Sequence, residues 1–269
     1  MYNTLSITKA AIGLLYHIHD NEFSKNLSIL YQNNKLCSIG DALNMCSGRS
    51  TPWNYYEYRH KVENNDNLLT FASAKIANAP LSDGMEYDNL LYQVLASIMK
   101  DVAFRFALFM EDKIDKELKE EQSSDGQSIY FIVGTGWKWE HTKNKEPLGP
   151  QGLHMTFDAA QKFAQKAKQI IEQIDFSEEA VADVSVGAWE GLGKNYFTRY
   201  WHGWWMTPRC FYAVGYVTQA IAITPNGIFI QLYEEDWKDC MDSDKHRWKH
   251  KRWDFVKNIE EQYKLFIKF

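Results

Sequence analysis

From Asp88 onward, Leu91, Leu95, Ile98, Val102, Phe106, Phe109 and Ile114 recur every three or four residues, and the stripe reaches Leu118. Helical geometry puts such positions on one face, so the spacing predicts one long helix as the spine of the N-terminal half. Its far end, "EDKIDKELKEE", sets opposite charges within one turn of each other, as on a solvated helix end. A stripe of this length must be covered by other elements. "QSSDGQS", residues 122–128, then breaks the pattern, and the period changes.

Beyond the break, "IYFIVG" is a short apolar run with β-branched residues. "FYAVGYVTQAIAI", "TPNG" and "IFIQLY" read as a β-hairpin turned by Pro-Asn-Gly. Between them an amphipathic helix is expected from about Phe157 to Ile174, with Phe163, Ala167, Ile170 and Ile174 inward. A last helix is expected through Trp253, Val256, Ile259, Tyr263 and Phe266. Upstream, Ile7, Ala11, Leu14 and Ile18 predict a helix with Ser6 as its N-cap. A short helix after Ser24 is expected to carry Leu27, Leu30 and Tyr31. "SIGD", Ser38 to Asp41, has the form of a capping box with a helix ending by Gly48, and "GRSTPWNYYEYRH" reads as loop. The fold class is α+β: an α-rich part over 1–122, and over 128–269 an antiparallel sheet packed by two helices. The two parts stand as separate units or share one core.

Net charge of −5 gives no global attraction to nucleic acid or to an anionic membrane, so such a contact needs a local patch. Cys37, Cys46, Cys210 and Cys240 form no close pair, which favours reduced thiols. "AAIGLLY" lacks a cleavage site, and no apolar run is long enough to span a bilayer. The expectation is a soluble, cytoplasmic protein with no membrane contact.

Candidate chemistry begins at "LYHIHD", where His17 and His19 flank Ile18. On a strand the two imidazoles would share a face; on a helix they diverge by roughly 200° and cannot hold one ion. The 7, 11, 14, 18 spacing favours the helix. "LYHI" followed by "NLSIL" and "NKL" resembles the opening of DarT-type ADP-ribosyltransferases, where a Tyr-His strand leads into a short helix. The resemblance implies NAD as cofactor and a DNA base as acceptor. Tyr16 and His17 would then lie against NAD, with Asn26 to Leu30 opening the helix and Glu235 (or Glu234) as the acid. It covers about two dozen residues, with extra residues between His19 and Asn26.

"GLHMTF" carries the His-x-Thr-apolar pattern of two-histidine phosphoesterases at His154 and Thr156. No second copy exists to supply the opposing histidine, and Thr156 more simply caps the following helix. Cys37, just before a helix start, has no motif naming a histidine partner. Neither the Cys nor the His spacings suit zinc, and Gly134 and Gly136 lack the third glycine of a dinucleotide loop. No metal site is expected, and no cofactor apart from the NAD of the resemblance.

Two segments read as binding surfaces. "RYWHGWWMTPRC" clusters Trp201, Trp204 and Trp205 between Arg199 and Arg209, a composition suited either to a docking hot spot or to a core beneath the hairpin. "KHRWKHKRW" interleaves Lys245, Arg247, Lys249 and Arg252 with Trp248, which suits phosphates with a stacked base or an acidic protein. The sequence therefore favours a non-catalytic, protein-binding role such as an inhibitor, immunity-type protein or adaptor. An NAD-using transferase and a nucleic-acid binder are the alternatives.

Overall fold

A computed structural model of the chain describes residues 1–25, 27–31, 34–122, 128–184, 197–215, 219–232 and 255–261. The fold is α+β. Strand β1 (Tyr2–Asn3) leads into helix α1 (Ile7–Ile18), followed by a hairpin of β2 (Ser28–Tyr31) and β3 (Asn34–Ser38). Helices α2 (Ile39–Leu43), α3 (Tyr55–Glu63), α4 (Leu68–Ala77), α5 (Asn89–Met99) and α6 (Val102–Phe109) come next. Strands β4 (Ile114–Gln122), β5 (Ser128–Gly134), β6 (Trp137–His141) and β7 (Leu153–Met155) join β1 in an antiparallel sheet of order β1-β7-β6-β5-β4.

Helix α7 (Phe157–Ile171) precedes the second sheet. That sheet holds β8 (Ala182–Asp183), β9 (Arg199–Trp201), β10 (Trp204–Met206), β11 (Phe211–Val214), β12 (Ala220–Thr224) and β13 (Gly227–Gln231). Its order is β13-β12-β11-β10-β9-β8, antiparallel throughout. A helical turn pair covers 255–261. One apolar cluster joins the halves, with Ile7, Tyr92, Trp139, Phe163, Trp204 and Ile223 all in it.

Local chemistry explains most of these elements. Ser38 and Asp41 make the expected reciprocal capping box, and Thr156 caps α7 by accepting from the Ala159 amide. The hairpin turns at Thr224 and Gly227, where the sequence reads Thr-Pro-Asn-Gly. Four expectations are corrected. The long helix is two helices, since Lys100 adopts φ 59° and the chain restarts at Val102. Its charged tail is strand β4, drawn into register with β5 by the ladder; an edge strand rich in Lys and Glu resists further pairing. The segment after Ser24 is likewise a strand, and α3 forms inside the stretch read as loop because Asn54 caps it.

The core buries an imidazole whose titration has a visible consequence. His141 on β6 is 2% exposed, its Nδ1 is 2.8 Å from the Trp139 carbonyl, and burial pushes its pKa down to about 4. An unfolded chain takes up this proton near pH 6.5, so stability is full above that pH and falls as pH drops towards 4. The loss amounts to about 3 kcal/mol for this one group. Urea midpoints at neutral pH and near pH 4.5 are expected to show this slope, and His141→Gln to reduce it, His154 and His202 supplying the remainder; an equal slope in the variant would refute the assignment.

Candidate functional site

Chemistry gathers at the start of the first helix, one residue before the stripe that predicts it. Ser6 occupies the N-cap position of α1, yet its hydroxyl makes no capping bond. Instead Lys9 Nζ donates to Ser6 Oγ at 2.9 Å, and the Tyr87 hydroxyl meets the same oxygen at 2.8 Å. The i, i+3 spacing puts Lys9 one turn below Ser6 on the same face. Tyr87 arrives from the turn before α5, whose N-cap Asp88 accepts from the Leu90 amide at 2.7 Å. Ser6 and Tyr87 are partly exposed, while Lys9 is 1% exposed.

Each partner is held from a different side. Thr4 donates its amide and its hydroxyl to the Leu153 carbonyl, and the Leu153 amide donates to Thr8 Oγ1, so β7 grips the chain on both sides of Ser6. Leu5, immediately before Ser6, adopts φ 50°, with its amide bound to Asn3 Oδ1. A left-handed leucine costs on the order of 1–2 kcal/mol, and such strain concentrates at functional sites. Gly215, just past β11, approaches so closely that a Cβ there would sit 2.7 Å from the Thr4 carbonyl oxygen. The second sheet thus abuts the residues preceding Ser6. The Tyr87 ring stacks on Trp205 of β10 at 5.9 Å and 12°, and Lys9 Nζ lies 5.0 Å from the Tyr87 ring centre.

Lys9 also donates to the Pro150 carbonyl at 3.2 Å. Burial lowers its pKa, opposed by Tyr87 and then Asp88. A buried lysine with two acceptors and a depressed pKa holds a neutral amine more readily than a surface lysine does. A hydroxyl beside such an amine and a phenol can lose its proton to a neighbour as it attacks. Asn89, two residues after Tyr87, opens α5 and is partly exposed.

The residues singled out from sequence fall elsewhere. Tyr16 and His17 lie on helix α1, not on the strand that the transferase resemblance implies. The Tyr16 hydroxyl is buried against the Leu95 carbonyl, 2.8 Å away. His17 packs on Trp201 and faces His202, whereas His19 is influenced by Arg105 and Glu22, so the two imidazoles serve different neighbourhoods. Trp201, Trp204 and Trp205 are 0, 0 and 3% exposed. They fill the core: Trp201 donates to Glu179 and packs on Phe176, Trp204 stacks on Phe163, and Trp205 backs Tyr87. Rings so enclosed offer no docking face, because their contact area is already spent on the interior. Arg199 on β9 is partly exposed and Arg209 is exposed between β10 and β11.

His154 lies on β7 without a second histidine motif. Burial pushes the Cys46 and Cys210 thiols up to about 11, a range unsuited to thiolate chemistry. Lys245, Arg247, Trp248, Lys249, Arg252, Glu234 and Glu235 lie outside the described residues. Among the described residues no three His, Cys, Asp or Glu side chains gather as metal ligands, and no helix is long and apolar enough to cross a membrane.

Sequence reasoning missed Ser6, Lys9 and Tyr87. The available signal was "SITK": a lysine on the apolar face of a helix, one turn after a serine at its start. Lys9 sits between Ile7 and Ala10, where a lysine with no task would be costly.

No known protein family matches the chain, and no curated protein matches it by sequence. Among solved structures, the chain is similar to one described as "Putative 6-aminohexanoate-dimer hydrolase from Bacillus anthracis", at 14% identity and a TM-score of 0.52. The match covers 85% of this chain and 66% of that one, so this chain spans just under two thirds of its neighbour's length. At that identity the likeness concerns the fold.

Proposed function

We propose that this protein is a serine hydrolase that forms an acyl-enzyme on Ser6. The observation that carries the reading is the convergence of the Lys9 amine and the Tyr87 hydroxyl on Ser6 Oγ, at 2.9 and 2.8 Å, with the amine buried. Serine acylases that carry a Ser-x-x-Lys motif use the serine as nucleophile, and Ser-Lys pairs are a recognised variant of the serine triad. The solved neighbour described as a hydrolase supports the same class.

In this reading Ser6 Oγ attacks the carbonyl carbon of an amide or ester. Its proton passes to neutral Lys9, the carbonyl π pair moves to oxygen, and the amide of Ser6 at the start of α1 donates to that oxyanion. Collapse expels the amine or alcohol, which takes a proton from Lys9 through the Tyr87 hydroxyl. Water then attacks the acyl-Ser6 ester, giving its proton to the Lys9–Tyr87 pair and returning Ser6.

A fluorophosphonate probe tests this without a known substrate. Intact-mass analysis is expected to show one adduct, peptide mapping to put it on Ser6, and Ser6→Ala to abolish it. A folded wild-type protein that takes no adduct at Ser6 overturns the proposal.

A further inference from the structure

Helix α5 meets the Ser6 site twice. Tyr87 reaches Ser6 just ahead of its first turn, and one turn in, Gln93 takes hold of the loop that supports Lys9. Gln93 is fully buried, yet both polar atoms of its amide are engaged. Oε1 accepts from the Tyr58 hydroxyl at 2.5 Å and from the Gly149 amide at 3.0 Å. Nε2 donates to Ser97 Oγ and to the Pro147 carbonyl, each at 3.0 Å. Two of these four bonds go to the backbone of the stretch that ends at Pro150, whose carbonyl accepts from Lys9 Nζ at 3.2 Å. That stretch runs hard against α5, since a Cβ at Gly149 would sit 2.0 Å from the Tyr92 carbonyl oxygen. From the other side β6 holds it at Leu148, through the Glu140 carbonyl and the Trp139 indole. Gly149, the residue next to Pro150, is bonded by Gln93. Packing alone would ask for an apolar side chain at position 93, between the buried Tyr92 and Val94, because a buried amide is costly unless each of its bonds is kept.

We propose, on the serine-hydrolase reading, that Gln93 is a positioning residue for Lys9: by fixing Pro147 and Gly149 it sets the Pro150 carbonyl, which turns the Lys9 amine towards Ser6. A carbonyl oxygen can only accept, so it takes an N–H from the amine in either protonation state. With one N–H held at Pro150 and the side chain fixed by burial, the lone pair of the neutral amine is left for the Ser6 side, 2.9 Å away. Alignment of this kind matters steeply. A misplacement of about 1 Å, from a change remote from the chemistry, can slow a reaction about 10²-fold. The hold of β6 on Leu148 keeps the stretch from leaving altogether, so loss of Gln93 blunts the reaction rather than abolishing it.

Fluorophosphonate labelling separates positioning from folding, because kinact reports the attack by Ser6 and KI the binding of the probe. Gln93→Met, of similar length, removes all four hydrogen bonds. Its kinact is expected to fall by roughly 10- to 100-fold, with KI unchanged. Gln93→Glu keeps the acceptor for Gly149 but sets a carboxyl oxygen against the Pro147 carbonyl, and its kinact should lie between wild type and Gln93→Met. Tyr58→Phe takes one bond from the same Oε1 atom without touching the loop. It is expected to lower the melting temperature and to leave kinact at the wild-type value. A folded Gln93 variant of either kind with native kinact overturns the inference. So does a Tyr58→Phe protein whose kinact falls as far as that of Gln93→Met, since the rate would then follow stability. Failure of both Gln93 variants to fold also overturns it, leaving Gln93 a structural residue. Absence of any label on wild-type Ser6 would instead strike the serine-hydrolase reading, so the two failures are distinguishable.

Discussion

Lys9→Met is expected to lower the rate of Ser6 acylation by roughly 10³-fold or more while leaving the fold intact or firmer. Positioned proton transfer contributes about 10²–10⁴-fold, and a serine hydroxyl without its base is a weak nucleophile at neutral pH. The stability half of the prediction follows from burial. Lys9 is 1% exposed, and methionine of similar length removes the cost of burying an amine among Ile7, Ala10 and Ala11. A residue kept for structure would lose stability when replaced, whereas one kept for chemistry loses rate and gains stability. Fluorophosphonate labelling beside thermal unfolding reads both halves. The double variant Ser6→Ala/Lys9→Met is expected to be no slower on a p-nitrophenyl ester than Ser6→Ala alone, because groups acting as a unit are not additive. Near-native labelling of Lys9→Met would remove Lys9 from the reaction.

The elements legible in sequence are those whose cause is local. The helix over Ile7–Ile18, the capping box at Ser38, the Thr156 cap and the Pro-Asn-Gly hairpin each depend on residues within a few positions of one another. What failed depends on distant partners. The charged tail after Ile114 has a helical composition, and only its pairing with β5 makes it a strand. The Trp cluster looks like a docking surface until Phe163, Phe176 and Tyr87 are seen to enclose it. The site failed for the same reason. Ser6 and Lys9 are close in sequence, but Tyr87 is 81 positions from Ser6 and Pro150 is 141 from Lys9, so the convergence was invisible. His17 and His19 carry the more conspicuous side chains at the far end of α1, yet His17 packs against Trp201.

Gly13→Ala is expected to destabilise the protein by about 2–3 kcal/mol, against the sign of helix propensity. In the interior of a helix alanine is better than glycine by about 1 kcal/mol, so an isolated α1 would gain from the change. In the folded chain a Cβ at position 13 would sit 1.8 Å from the His202 carbonyl oxygen and 2.5 Å from its carbon. Those are backbone atoms of the β9–β10 turn and cannot swing aside as a side chain would. The facing residue, Gly203, has φ 90°, and a Cβ there would sit 2.5 Å from the Lys9 and Ala10 backbone, so helix and turn meet through two glycines. Separating them moves the helix that carries both Ser6 and Lys9. Gly13→Ala should therefore lower the urea midpoint and slow fluorophosphonate labelling together. Gly84→Ala, where nothing lies within 4 Å of the added carbon, bears only its own backbone cost at φ 80° and should leave labelling unchanged. A Gly13→Ala protein more stable than wild type would mean that α1 and the turn do not meet as described. The support of Lys9 beneath Ser6 would then need another source.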